Sequence, residues 1–70
     1  MVNVNKLKGA IVEKGLTQAK MAEKMGISDR TFYNKMKRKV FNSDEIVQMA
    51  SILSIDEKDV IAIFFDQNVT

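Results

Sequence analysis

One short pattern recurs five times in the seventy residues: an apolar residue, a capping residue, and an apolar residue four positions after the cap. The sets are Val2, Asn3, Leu7; Leu16, Thr17, Met21; Ile27, Ser28, Phe32; Phe41, Asn42, Ile46; and Ile55, Asp56, Val60. Asn, Thr, Ser or Asp at an N-cap accepts a hydrogen bond from the free N–H groups of a helix's first turn. The two apolar residues then close across that turn as a hydrophobic staple. Five such signals predict five helix starts, and apolar spacing extends them to about 4–14, 17–25, 29–37, 43–53 and 57–65. In the first helix Leu7, Ala10 and Ile11 share a side and Gly15 is the stop. In the fourth, Asn42 with Glu45 three later makes a capping box, and Ile46, Met49, Ala50 and Leu53 form the apolar side. Lys37 to Phe41 reads as a basic loop, and Asp66 to Thr70 as a frayed tail. No strand alternation persists, and the chain has no proline, which suits helices throughout. The expected fold is all-α: one compact five-helix domain over 1–70.

The most informative stretch is Thr17 to Lys37, TQAKMAEKMGISDRTFYNKMK. Met21, Ala22 and Met25 recur at helical spacing, and Gly26 can take the left-handed conformation that ends a helix. Ser28 caps a second helix after only Gly26 and Ile27, and Phe32 and Met36 give it a buried side. So short a link makes the two helices cross steeply, with Ala22 small enough for close approach. That is the arrangement of a helix-turn-helix at helices 2 and 3, whose second helix can enter a DNA major groove.

The stretch resembles the phage repressor and Cro-type helix-turn-helix family, also called the XRE or lambda-repressor-like family. Gln18, Ala22, Gly26, Ile27 and Phe32 stand where that motif has its glutamine, small residue, turn glycine and two apolar positions. The resemblance runs from Leu7 to Ile61, and GLTQAKMAEKMGIS is its most specific part. It departs at Lys35, where the family usually has an apolar residue; Met36 follows. The resemblance implies a small lambda-repressor-like domain and a sequence-specific regulator of transcription, a Cro-like repressor of phage or prophage genes. It further implies a bacterial cytoplasm, at the nucleoid, as the place of action.

Seventy residues suit one small domain, with no separate ligand-sensing domain and no small-molecule ligand expected. With neither His nor Cys, disulfides and zinc-finger chemistry are ruled out, and no metal or cofactor is expected. The start, MVNVNKLKG, lacks the apolar run of a secretory signal, and Val60 to Phe65 is far too short to span a bilayer. Catalysis has little support: there is no His or Cys base or nucleophile and no glycine-rich phosphate loop. Asp44, Glu45, Asp56, Glu57 and Asp59 are explained as charges favoured at helix N-termini.

Net charge is only +2, but residues 1–39 hold ten Lys and Arg against three acids, a net +7, while residues 40–70 hold one Lys against six acids, a net −5. The run Arg30 to Lys39 contains five basic residues and no acid. A basic face can simply be solvated, yet this one coincides with the second motif helix, which points to nucleic acid.

The candidate base contacts are Asp29, Arg30, Thr31, Tyr33 and Asn34. Arg30 can donate twice to guanine, Asn34 can pair with adenine, and Tyr33 can contact a thymine methyl or pack on sugar-phosphate. Asp29 can accept from cytosine or simply stabilise the helix N-terminus. Candidate phosphate contacts are Gln18, Ser28, Lys35, Lys37, Arg38, Lys39 and Asn42. Gln18 opens helix 2, where free backbone N–H groups attract an anion, and the family uses its matching glutamine in this way. Lys6, Lys8, Lys14, Lys20 and Lys24 are lesser candidates, and Met36 reads as core.

One helix in one groove reads few base pairs, so a palindromic operator and a two-fold dimer are expected. Helix 5 is the candidate surface: Val60, Ile61 and Phe64 can face the core while Ile63 and Phe65 point elsewhere and pair with a second copy. The alternative for those two is cover from the tail, through Val69. The rival function is a protein-interaction module on the same scaffold, antirepressor or antitoxin-like in its partners.

Overall fold

The computed structural model describes residues 1–67. It contains five helices: α1 (Val4–Glu13), α2 (Gln18–Met25), α3 (Asp29–Arg38), α4 (Ser43–Leu53) and α5 (Glu57–Phe64). No strand occurs among the described residues, and no helix there is long and apolar enough to cross a membrane. Every helix starts at a staple. Asn3, Thr17, Ser28, Asn42 and Asp56 all sit in extended backbone, and each side chain accepts the N–H of the residue three positions on. Four of the five inner staple residues, Leu7, Met21, Phe32 and Ile46, are buried.

The helix ends follow a second local rule. Gly15, Gly26, Lys39 and Ser54 adopt positive φ, between 53° and 80°. The residue after each then sends its N–H back to a carbonyl five positions earlier: Leu16 to Ile11, Ile27 to Ala22, Val40 to Lys35, and Ile55 to Ala50, at 3.0–3.2 Å. This is the Schellman termination, which satisfies carbonyls that a helix end would leave unpaired. In three connections, Gly15-Leu16-Thr17, Gly26-Ile27-Ser28 and Ser54-Ile55-Asp56, the same apolar residue also stands before the next cap. Leu16, Ile27 and Ile55 pack against the core, so one side chain closes one helix and staples the next. The α3–α4 connection has one residue more: Val40 is exposed and Phe41 takes the buried place.

The core gathers around Leu7, Ile11, Met21, Phe32 and Met49, the largest fully buried side chains. α2 packs against α1, α3 and α4, while α5 closes against α1 and α4. The rings of Phe32 and Phe41 lie 5.9 Å apart at 51°, joining α3 to the segment before α4. The two ends of the described chain are also tied together. The Asn3 N–H donates to the Ile63 carbonyl at 2.6 Å, and Asn3 Nδ2 donates to Asp66 Oδ2 at 2.9 Å.

Several expectations are corrected. α3 runs to Arg38, so Lys37 and Arg38 are helical and the basic loop starts only at Lys39. Thr17 caps α2 as its place in the staple implies, so the helix itself opens at Gln18; α1 stops at Glu13, and α5 stops at Phe64. Asp66 is held by Asn3 and, at 3.8 Å, by Lys6, so the tail does not fray at that point. The chief correction is in α5. Ile63 is only 6% exposed and belongs to the core, whereas Ile61 is 53% exposed. Val60 is pinned inward by its staple, and residues three and four positions later, Ile63 and Phe64, follow it on the same helical face. Ile63 therefore offers no surface to a second copy. Phe65 is 54% exposed, as expected, and lies one turn beyond Ile61. The proposed cover, Val69, lies outside the described residues.

Candidate nucleic-acid interface

α3 is held by one face and free on the other. Phe32 and Met36, four apart, are 1% and 4% exposed and anchor the helix to the core. The opposite face carries Arg30, Tyr33, Asn34 and Lys37, at the i, i+3, i+4, i+7 spacing of a single helical stripe, and all four are exposed. Among the described residues none of the four has a hydrogen-bonding or ion-pairing side-chain partner. Arg38, on the edge of the stripe, is likewise exposed and unpaired, and Lys39 is half-buried and unpaired. Asp29 is exposed in the first turn, where a carboxylate suits the helix N-terminus.

Gln18, at the start of α2, is brought beside this face. With Ala19, Asp29 and Tyr33 it lines a shallow cleft of about 180 Å³ whose floor is Phe32. One expected phosphate contact and two expected base contacts thus share one surface with the Arg30 stripe.

The hydroxyls of Ser28 and Thr31 are turned toward each other. Ser28 Oγ accepts the Thr31 N–H at 3.1 Å and donates to Thr31 Oγ1 at 2.9 Å. Both residues remain exposed, but their first role is to hold the start of α3.

Two expected phosphate contacts are engaged elsewhere. Lys35 Nζ lies 3.0 Å from Glu45 Oε2, with Lys35 31% and Glu45 11% exposed at the side chain. Glu45 Oε1 accepts the Asn42 backbone N–H at 2.9 Å, and Asn42 Oδ1 accepts the Glu45 N–H at 2.8 Å. The capping box was legible as a pair three apart; its link to Lys35, ten residues away in another helix, has no signal in spacing. Lys35 sits where the resemblance would place an apolar residue, and the ion pair shows how a charged side chain is accommodated on the edge of α3.

Three of the lesser lysines are engaged. Lys6 faces Asp66, Lys14 Nζ reaches Ser54 Oγ at 3.4 Å, and Lys20 pairs with Glu23 at 2.9 Å. That hydrogen bond, with the Lys20 charge, holds the Glu23 carboxyl below the usual glutamate range. A larger open groove of about 610 Å³ runs between α1 and α5, and no residue of α3 lines it.

A family model described as "Protein of unknown function (DUF739)" matches residues 2–67. The chain belongs to that family. The match covers all five helices, so the stripe on α3, the Gln18 cleft and the Glu45 linkage all fall within the family's domain. Comparison with curated proteins and with solved structures gives no match.

Proposed function

We propose that α2 and α3 form a helix-turn-helix and that the protein is a sequence-specific DNA-binding regulator of transcription, acting with α3 in the major groove. The carrying observation is the stripe Arg30, Tyr33, Asn34 and Lys37: polar or basic groups on a well-anchored helix, all exposed and none with a side-chain partner among the described residues. Exposed donors without internal partners on a rigid element suit base-edge readout, and Arg30 and Asn34 are the residue types that bond guanine and adenine. Lys37, Arg38 and Lys39 supply phosphate contacts beside them, and Gln18 supplies one from α2. The resemblance to Cro-type proteins favours repression of phage or prophage genes, with the bacterial nucleoid as the site of action. A gel-shift series across salt concentration on phage control-region duplexes tests it. Binding that weakens steadily as salt rises, with selection of one recurrent site from random DNA, is expected. Absence of duplex binding at low salt defeats the reading.

Two copies on a palindrome complete the proposal. Their contact is the outer edge of α5, now formed by Ile61 and, at the C-cap just past the helix, Phe65, both exposed. Sedimentation of wild type and of an Ile61→Asp, Phe65→Asp variant decides it: the variant stays folded, is monomeric, and binds a palindrome no more tightly than a half-site. The same apolar edge favours the rival reading of a protein-interaction module, which gains if wild type is monomeric and ignores duplex DNA.

A further inference from the structure

One carboxylate takes up two of the donors that a DNA phosphate would otherwise meet. Glu45 is buried at the start of α4, with one oxygen on the Asn42 backbone N–H and the other on Lys35 Nζ. The two donors flank the basic segment Lys37 to Lys39, Lys35 before it and Asn42 after it. We infer that Glu45 is an internal stand-in for a phosphate: it withholds Lys35 and the Asn42 N–H from DNA, and thereby limits the sequence-independent part of affinity to Lys37, Arg38, Lys39 and Gln18. The inference rests on the DNA-binding reading and adds a residue that sets the balance between sequence-independent and base-specific binding without touching a base.

The physical argument has three parts. An amine 3.0 Å from a carboxylate that is 11% exposed has given up much of its hydration to that partner. Moving it to a phosphate would exchange one anion for another and would strand Glu45 at a buried position, where an unpaired charge is costly. Asn42 cannot release its N–H without opening the capping box that starts α4. Asp44, the neighbouring acid, is exposed and has no ion-pair partner among the described residues, so it supplies a control of equal charge that restrains nothing.

The test is the salt dependence of duplex binding for wild type, Lys35→Met, Glu45→Gln and Asp44→Asn. Glutamine keeps the oxygen that accepts the Asn42 N–H, so Glu45→Gln preserves the capping box. In wild type Lys35 releases no counterion, and Lys35→Met leaves the slope of log K against log salt unchanged. Glu45→Gln frees Lys35 and steepens the slope by about 0.9, a loss of affinity about 3.5-fold greater between about 50 and 200 mM salt. Asp44→Asn leaves the slope at the wild-type value. In the DNA-free protein, reductive methylation modifies Lys35 more slowly than Lys37, and Glu45→Gln removes the difference. A flatter slope for Lys35→Met, an equal change in Asp44→Asn and Glu45→Gln, or equal methylation of Lys35 and Lys37 in wild type overturns the inference while DNA binding stands. Failure of wild type to bind duplex DNA removes the functional reading and the inference together.

Discussion

α3 and α5 begin in the same way and end up with opposite outer faces. Each starts from a triplet of left-handed residue, apolar residue and cap, and each carries its staple partner four residues after the cap, Phe32 in α3 and Val60 in α5. In α3 the inward stripe is apolar and everything outward is polar or basic, so its orientation follows from composition alone. In α5 all five residues from Val60 to Phe64 are large apolar groups or alanine, and either Ile61 or Ile63 satisfies an apolar inner face equally well by type. The local device that starts a helix is therefore independent of what the helix presents. The face is decided by contrast where contrast exists, and by the staple's phase where it does not.

The sharpest way to break that comparison is to charge the two isoleucines of α5 in turn. Ile63→Asp places an unpaired carboxylate in the core and should cost more than about 4 kcal/mol, enough to leave little folded protein. Ile61→Asp should stay within about 0.5 kcal/mol of wild type in a denaturant melt. Equal stability of the two variants would mean that α5 is rotated from the face assigned to it.

Phe32→Ala removes the inward anchor of α3 and should cost about 3–5 kcal/mol, and on the DNA-binding reading proposed above duplex binding is lost with the fold. Val60, only partly buried at the corresponding place in α5, should cost less when cut to alanine. A thermal melt of Phe32→Ala close to wild type would show that α3 is not held by its staple.

The outer stripe of α3 can be sharpened residue by residue. Arg30→Ala should cost about 1–3 kcal/mol at one base pair and relax preference there. Lys37→Ala should weaken binding to all sequences alike and flatten the salt slope by about 0.9. Measured on a panel of single-base-pair variants, a change of preference from Lys37→Ala with none from Arg30→Ala would invert the assignment of roles along the stripe.

Helix starts are the most legible part of the fold, because each is written within six consecutive residues. Helix ends were less so: Lys39 and Ser54 take the left-handed conformation that glycine would advertise, and neither residue type announces it. The inward turn of Ile63 was available in principle, since it stands three after the stapled Val60. Apolar type at Ile61 masked it. On α3, the exposure of Arg30, Tyr33, Asn34 and Lys37 followed from their spacing against Phe32 and Met36. Lys35 did not, because its position is decided by a carboxylate in α4, and the engagement of Asn3 with Asp66 joins residues whose proximity no local pattern encodes.

That last bond has a kinetic meaning. Asn3 and Asp66 are 63 positions apart, and the entropy lost in closing a chain segment rises with the logarithm of its length. Single helical turns form in about a microsecond or less, so the five stapled helices can flicker into place long before the ends meet. Closure is rewarded only after α1 and α5 have docked, so the bond is expected to form on the native side of the folding barrier. An interaction made after the barrier sets how slowly a molecule comes apart and has little influence on how fast it assembles. Cutting the clasp at Asp66 is therefore expected to raise the unfolding rate more than it lowers the folding rate, which stopped-flow kinetics would read.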